Sequence, residues 1–251
     1  MQKLIDDFVI TLDPVAFAKE KLNFIPDEWQ TKVLRSEANK IILKCSRQAG
    51  KSTTTAILAL HKALFFPDSI VLLISASLRQ SRELFRKVQD FLSVYREKGG
   101  NPVKLVEDNK LECKFKNSSR IISLPAKEQT IRGFSKVNLI IEDEASRVED
   151  EVYYTIRPML AVSQGRIILL STPFGKRGHF YKEWSNSEFE KYDVPADKCP
   201  RISKEFLEAE RRELGEFYFK QEYECEFIDI EGIAFKSFAD EELYSDEFKA
   251  L

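Results

Sequence analysis

The stretch that decides the fold of this chain is Cys45-Ser46-Arg47-Gln48-Ala49-Gly50-Lys51-Ser52. It follows an apolar run at 41–43 and precedes a helix-like stretch at 53–64. A strand, a tight turn that ends in Gly-Lys-Ser and then a helix form the arrangement of a phosphate-binding P-loop. Backbone N–H groups of such a turn attract an anion, and the dipole of the following helix adds to the attraction. The sequence therefore predicts an anion-binding loop at this point of the chain.

Individual residues of this loop have distinct predicted roles. Lys51 would reach the β- and γ-phosphates of a nucleotide, and the Ser52 hydroxyl would hold Mg²⁺. Cys45 stands where the usual pattern has its first glycine, and Gly-Lys-Ser also recurs by chance, so the loop needs support from other motifs. The residues expected to contact phosphate are Ser46, Arg47, Gln48, Ala49, Gly50, Lys51, Ser52 and Thr53.

Composition restricts the class of protein. The chain has 251 residues, of which 43% are apolar, enough for one large α/β domain or two small ones. Its net charge of −2 means that nucleic acid would be bound through local patches. No apolar run reaches the ~20 residues of a membrane-spanning helix, and no signal-peptide pattern is present, so we expect a cytoplasmic protein. The four cysteines and two histidines lack zinc-site spacing, and we expect reduced, mostly buried cysteines.

Strand-like and helix-like segments alternate along most of the chain. The apolar runs lie at 41–45, 70–75, 120–124, 137–141 and 166–171, and the helical segments at 14–37, 52–65, 77–98, 149–162, 203–214 and 216–224. This alternation predicts a mostly parallel sheet covered on both faces by helices. Residues 103–124 break the alternation and predict two or three short antiparallel strands. Gly215 is expected to separate the last two helices.

A second motif, Leu139-Ile140-Ile141-Glu142-Asp143-Glu144-Ala145-Ser146, is an apolar strand that ends in acids. It is typical of a Walker B strand, which would place Asp143 beside the P-loop to hold Mg²⁺ together with Ser52. Glu144 would then orient and deprotonate the attacking water. Glu142 occupies a position that is usually apolar, so the roles of the three acids stay open, although the following alanine favours Asp143 and Glu144. A solvated acidic cluster is the alternative.

Two further motifs flank this pair. Ser171 and Thr172 close an apolar strand and are predicted to sense the γ-phosphate and couple its loss to neighbouring elements, with a capped loop as the alternative. Gln30 lies near the start of an early helix and is a candidate adenine contact, because an amide offers a donor and an acceptor together. The neighbouring Trp29 favours core packing over base stacking.

Together these motifs resemble the ATPase domain of the large terminase subunit of tailed bacteriophages, which is a DNA-packaging motor. The P-loop of that family has an arginine four residues before the lysine, as Arg47 is here, and does not require the first glycine. The order of the Gln30 motif, Asp-Glu-Ala and Ser-Thr-Pro matches the family. So does Thr130-Ile131-Arg132-Gly133-Phe134, which precedes the Walker B strand in these proteins.

The resemblance implies an α/β fold of the P-loop NTPase class, ASCE or RecA-like. A mostly parallel sheet would be flanked by helices and carry an antiparallel extension and a small C-terminal lid-like subdomain. The implied units are an N-terminal helical segment with the adenine motif at 1–38, an ATPase core at 39–175, a C-terminal helical subdomain at 176–238 and a linker at 239–251. The nuclease domain of the family is not found in this sequence, so we expect no DNA cleavage.

The resemblance also implies a function, which is ATP hydrolysis with Mg²⁺ that powers translocation of double-stranded DNA into a capsid. The implied partners are further copies in a homo-oligomeric ring, a portal protein and the small terminase subunit. The protein would act in the host cell cytoplasm while transiently docked on the viral procapsid. The implied catalytic residues are Glu144, Arg132, Arg47 and Lys51. Candidate DNA contacts are Arg79, Arg82, Arg86, Lys176 and Arg177, for which a solvated surface is the simpler interpretation.

The two implied catalytic arginines differ in where they would act. Arg47 would touch the γ-phosphate of its own subunit. Arg132, beside the conformationally free Gly133, is a candidate finger inserted into the site of the neighbouring subunit. The alternative for Arg132 is a salt bridge to the acids at 142–144.

Two other functions remain open. A superfamily 2 helicase-like ATPase needs a second RecA-like domain, for which residues 175–251 are too short. A nucleotide-binding regulatory module without hydrolysis is disfavoured by the intact acids of the Walker B motif.

Overall fold

The computed structural model of the protein describes residues 2–99, 105–108, 111–127, 131, 133–186 and 188–229. The described strands are β1 (Lys40–Cys45), β2 (Ile70–Ser75), β3 (Leu105–Asp108), β4 (Glu112–Phe115), β5 (Arg120–Pro125), β6 (Leu139–Asp143), β7 (Arg166–Ser171) and β8 (Glu190–Val194). They form one sheet in the order β3-β4-β5-β2-β6-β7-β1-β8. In this sheet order, all neighbouring strands from β5 across to β8 are parallel, whereas the pairs β3–β4 and β4–β5 are antiparallel. The predicted parallel sheet with an antiparallel extension is confirmed.

Helices cover both faces of this sheet. They are α1 (Gln2–Leu12), α2 (Pro14–Leu22), α3 (Glu28–Arg35), α4 (Lys51–Phe65), α5 (Leu78–Glu97), α6 (Asp150–Ile156), α7 (Gly178–Asn186) and α8 (Lys204–Glu222). Ile41 and Leu43 of β1 pack in one apolar cluster with α2 to α5, and Ile42 between them packs in a second cluster with α6 and α7. Because both faces are buried, the central strands are continuous apolar runs, as a parallel sheet requires.

Local signals account for several helix boundaries. Asp13 caps α2 by accepting the N–H of Val15 at 2.9 Å, and α2 ends at Asn23 in the left-handed conformation, with φ of 53°. The predicted helical segment at 14–37 comprises two helices, α2 and α3, the second of which begins just before Gln30, as predicted. The predicted break in α8 lies at Gly215, where φ is 75° and ψ is 163°. None of the described helices has the length and apolar composition that crossing a membrane requires.

The main difference from the sequence prediction lies after residue 175. The edge strand β8 was not predicted, because Glu190, Lys191 and Asp193 are exposed and only Val194 is buried. Charged edge strands are common because they discourage pairing with other chains, but they have no apolar signature. The core sheet therefore extends beyond the predicted boundary at 175. Residues 230–251, which include the predicted linker at 239–251, lie outside the described residues.

The order of the strands brings the predicted motifs to one edge of the sheet. In the parallel register, Lys44 of β1 is opposite Ser171 of β7, and Asp143 of β6 is opposite Leu170 of β7. The P-loop, the acids and the Ser-Thr pair all follow the carboxyl ends of these three strands. Ligands of open α/β sheets bind at this edge.

Candidate active site

The loop at 46–50 connects β1 to α4 through two left-handed residues, Gln48 with φ of 57° and Gly50 with φ of 95°. At Gly50 a Cβ atom would also approach Nε2 of Gln30 to 2.9 Å, so only glycine fits there. The N–H of Ser46 donates to the Val194 carbonyl at 2.9 Å, and that of Arg47 to the Glu222 carbonyl at 3.2 Å. The loop is therefore fixed to β8 and to the end of α8, neither of which a local sequence pattern indicates.

Lys51 lies in the first turn of α4 with only 8% of its surface exposed. Its Nζ is 3.1 Å from Oε1 of Glu144 and donates to Oγ1 of Thr172 at 3.4 Å. Burial alone would lower the pKa of Lys51, but the charges of Glu144 and Asp143 outweigh it and raise the pKa. The charged ammonium group of Lys51 therefore lies between the Walker B acid Glu144 and Thr172, which is predicted to couple loss of the γ-phosphate to neighbouring elements.

Ser52 and Asp143 meet at the end of β6, where the serine Oγ donates to Oδ2 of the aspartate at 2.9 Å. Burial, helped by the nearby charge of Glu144, raises the pKa of Asp143 to about 6, against the opposing effects of Lys51 and Ser52. A hydroxyl and a carboxylate are the hard oxygen ligands that Mg²⁺ prefers. No group of three or more His, Cys, Asp or Glu side chains gathers as a metal site in the described parts of the chain. Two protein ligands fit Mg²⁺, which usually keeps several waters and binds phosphate oxygens.

Glu144 has a strained backbone, with φ of 58° and ψ of 39°. Its N–H donates to Oδ1 of Asp143 at 3.0 Å, and its Oε2 accepts from Oγ of Ser171 at 3.4 Å. Ser146, which the sequence analysis did not single out, lies 2.7 Å from the Ser171 hydroxyl and donates to the Thr172 carbonyl at 2.8 Å. The hydrogen bonds of Ser146 therefore connect the loop after β6 to the end of β7, next to Glu144.

The third acid of this motif, Glu142, points away from the P-loop. It is fully buried on the opposite face of the sheet, with Oε1 3.0 Å from Nε2 of His179. Of the three acids, only Asp143 and Glu144 contact P-loop residues.

The remaining predicted site residues either contact other protein groups or lie outside the described residues. The Arg47 side chain is 62% exposed and pairs through Nε with Glu222. Gln30 is buried beside the loop, but its Oε1 accepts the N–H of Asp27 in the cap of α3 at 2.8 Å, which leaves Nε2 as a donor without a partner. Thr53 accepts from Lys87 at 3.4 Å. Arg132 lies outside the described residues.

Arg201 is a further residue of this region that the sequence analysis missed, because no motif surrounds it. Its Nη2 donates to the Ala49 carbonyl at 2.9 Å, and its Nη1 pairs with Asp27 at 2.8 Å. A cavity of about 290 Å³ lies beside the loop and is lined by Arg47, Gln48, Arg201, Ile202, Ser203, Phe206 and Tyr223. A larger cavity of about 500 Å³ lies against α8 and contains none of the predicted site residues.

The fold and this arrangement of side chains define a class of protein. Strand β7 lies between the P-loop strand β1 and the acid-bearing strand β6, and a glutamate follows the Walker B aspartate. This is the arrangement of a P-loop NTPase of the additional-strand, catalytic-glutamate (ASCE) class. The chain belongs to the terminase large subunit family, because the family model described as "Terminase large subunit, T4likevirus-type, N-terminal" matches residues 42–240.

Solved structures with the same fold include other phage terminases. The ATPase domain of the Thermus phage P74-26 large terminase has a TM-score of 0.76 at 23% identity, over 86% of this chain and 100% of that chain. The large terminase of the thermophilic bacteriophage D6E has a TM-score of 0.66 at 13% identity, over 80% and 53%. That of bacteriophage HK97 has a TM-score of 0.62 at 15% identity, over 91% and 51%. The chain thus spans about half the length of the last two proteins.

Proposed function

We propose that this chain hydrolyses ATP and that hydrolysis drives double-stranded DNA into a viral capsid. The proposal rests on the convergence of Lys51, Ser52, Asp143 and Glu144 within hydrogen-bonding distance at one edge of the sheet. Membership of the terminase large subunit family supports the DNA-packaging role. The D6E large terminase has been solved with ADP and with ATP-γ-S, which supports a nucleotide as the ligand.

Nucleotide binding would use the loop, Lys51 and the buried amide. The N–H groups of the loop and of the first turn of α4 would hold the phosphates, whose charge would draw Lys51 away from Glu144. Nε2 of Gln30 is a buried donor without a partner, and a ring nitrogen of adenine would satisfy it. The adjacent cavity of about 290 Å³ offers space for the base and sugar.

Ser52 and Asp143 would hold Mg²⁺, which neutralises charge on the phosphate oxygens when bound. Glu144 would be free to act as a base once Lys51 has turned to the phosphates, because the two side chains pair with each other at 3.1 Å. The carboxylate would then take a proton from water as the water oxygen bonds to the γ-phosphorus, and the bond to the β-phosphate oxygen breaks to release ADP and phosphate. Ser171 and Thr172, which contact Glu144 and Lys51, would register the loss of the γ-phosphate.

Extra positive charge would come from two arginines. Arg47 would exchange its pairing with Glu222 for the γ-phosphate of its own site. Arg132 would act on the site of the neighbouring subunit in a homo-oligomeric ring, where an arginine finger contributes about 10³–10⁵ in rate. A portal protein and the small terminase subunit would be the partners, in the host cell cytoplasm with the ring docked on the procapsid. The exposed Lys176 and Arg177 follow the Ser-Thr pair and remain candidate DNA contacts.

The test is phosphate release measured against protein concentration, with and without duplex DNA. We expect Mg²⁺-dependent turnover that rises more steeply than linearly, because active sites are shared between subunits. Lys51→Ala should abolish turnover, whereas Lys32→Ala, which removes an exposed lysine of α3, should not. Absence of turnover at every concentration, with DNA present, would favour a regulatory nucleotide-binding module, and strand separation would favour the helicase-like alternative.

A further inference from the structure

A buried charged cluster lies on the face of β6 opposite the P-loop. We call Glu142, Asp150, Tyr153 and His179 the His179 cluster. Glu142 and His179 are 0% and 1% exposed, and Nε2 of the histidine is 3.0 Å from Oε1 of the glutamate. The ring of Tyr153 stacks on the imidazole at 4.5 Å with an angle of 8° between the planes. The cluster thus joins the Walker B strand to α6 and to α7.

The surroundings of the histidine in this cluster favour its charged form. Its second ring nitrogen, Nδ1, lies 3.3 Å from Oδ1 of Asp150, so both ring nitrogens lie beside carboxylate oxygens. Burial alone would lower the pKa of His179, but the contacts with Glu142 and Asp150 outweigh it and raise the pKa. Asp150 also accepts the backbone N–H of His179 at 2.5 Å and pairs with Lys182 at 2.8 Å.

A gain in stability does not account for a charged pair at this place. Buried ion pairs often contribute no more than well-packed apolar residues of similar volume, because both charges lose their hydration. Although Oε1 of Glu142 lies 3.0 Å from Nε2 of His179, neither oxygen of this carboxylate forms a well-aligned hydrogen bond with a described donor. Its neighbour on the same face of β6, Ile140, packs in the apolar cluster on that side of the sheet, so an apolar residue would suit position 142 as well. The Glu142–His179 pair instead fixes a single geometry at the carboxyl end of β6.

Such fixing is needed because Glu144 is strained. A left-handed glutamate is strained and persists only when its surroundings hold it. On the P-loop face, Lys51 and Ser52 hold Glu144 and Asp143. Successive side chains of a strand point to opposite faces, so Glu142 is the last side chain that can hold the strand from the other face before the strained residue.

We propose that His179, which reaches no predicted ligand, is a positioning residue for the Asp143–Glu144 pair and acts through its contact with Glu142. The inference rests on the proposed hydrolysis, and it assigns α7 a function in that reaction. Helix α7 follows the end of β7 and the loop that carry Ser171 and Thr172, so the cluster holds the segment after the proposed γ-phosphate sensor against the strand that carries the proposed catalytic acids. Release of the contact would let the strand end relax and misplace both carboxylates.

Two amide replacements of His179 test this inference. In His179→Gln the amide nitrogen takes the place of Nε2 and still reaches Glu142, whereas in His179→Asn it takes the place of Nδ1 and reaches only Asp150. We expect His179→Gln to retain turnover and His179→Asn to lower kcat by about 10-fold or more, with a smaller change in KM, because small misplacements of catalytic groups are costly. Backbone hydrogen exchange at Asp143 and Glu144 should also accelerate in His179→Asn alone.

Equal kcat and equal exchange rates in the two variants would overturn the inference, and so would a loss explained fully by a lower folded fraction. If His179→Asn fails to fold, the apolar swap Glu142→Met with His179→Phe gives the same two readouts. Its control, Ile140→Met, alters the same face of β6 without touching the pair. Should the wild-type chain not hydrolyse ATP, the proposed function fails, and the exchange rates still decide whether His179 positions the strand end.

Discussion

Glu144 and Lys51 form an ion pair in which Oε1 and Nζ are 3.1 Å apart, so each proposed catalytic group occupies the other. In the proposed mechanism, Lys51 must leave this contact to bind a phosphate, and Glu144 is then released to accept a proton from water. Nucleotide binding and activation of the base are thus linked in the same two side chains.

Replacement of Glu144 by glutamine should separate these two effects. Glu144→Gln should lower ATP turnover by about 10²–10⁴, because general-base catalysis is lost. Nucleotide affinity should stay equal or become tighter, because Lys51 loses its competing carboxylate. Turnover assays and nucleotide titrations measure the two effects, and Glu151→Gln, at an exposed acid of α6, is the control. A loss of turnover below tenfold would assign the base role to another group.

The buried His61 predicts a pH dependence of stability. Burial lowers its pKa to about 4, although Nε2 contacts the Ile10 carbonyl at 3.1 Å. Between that value and the unfolded value near 6.5, the unfolded chain binds the extra proton, so stability falls as the pH drops through this window. The difference corresponds to about 3 kcal/mol. His61→Gln keeps a donor but does not titrate, so denaturant unfolding at pH 7 and pH 4 should show a smaller loss; an identical loss would exclude His61.

Among the elements, α8 depends most on a single residue. Gly215 has a φ of 75° and a ψ of 163°, which are accessible essentially to glycine alone. No atom lies within 4 Å of a Cβ built there, so the backbone conformation rather than a steric contact requires the glycine. The break turns the second half of α8 back so that Glu222 meets Arg47 of the P-loop.

Gly215→Ala should destabilise this turn by about 1–3 kcal/mol, because alanine must either accept the strain or straighten the helix. In the second case Glu222 would leave Arg47. Chemical unfolding measures the cost, and the exposed helix position Glu213→Ala is the control. A change within the error of the control would show that the break is maintained by contacts elsewhere in α8.

The strands were predictable to the extent that they are apolar. The runs at 70–75 and 166–171 coincide with β2 and β7, because strands buried on both faces leave a continuous pattern. Strand β8 left no such pattern, because most of its side chains face water. For the same reason the sequence placed the boundary of the core at 175.

At the scale of the whole molecule, the sequence motifs predicted which residues come together at the site. They did not predict which other residues hold them in place. The contacts of Lys51, Ser52 and Glu144 follow from local motifs at the carboxyl ends of β1 and β6. Those of Arg201, Glu222 and His179 do not, because these residues are distant in the chain and belong to no recognisable pattern. The acceptor of Gln30 also proved to be used in a helix cap, which a motif cannot reveal.

The proposed sharing of active sites between subunits makes a prediction for mixed assemblies. Arg132→Ala and Glu144→Ala should each be inactive alone, yet a mixture should regain activity, because some interfaces then join an intact arginine to an intact glutamate. Phosphate release by the mixture measures the recovery. Lys51→Ala mixed with Glu144→Ala is the control, since both residues belong to the same subunit's site and no interface can restore it. No recovery, with mixed assembly verified, would contradict a role of Arg132 across the interface.

The two main-chain hydrogen bonds that tie Ser46 to Val194 and Arg47 to Glu222 limit how far the chain can be shortened. A fragment that stops after β7 would keep every motif by which the site is recognised. It would nevertheless leave the main-chain amides of Ser46 and Arg47 in the P-loop without these acceptors and would remove one of the two strands that pair with β1. A fragment that is to bind phosphate in the way proposed for the intact chain must therefore extend at least to Glu222.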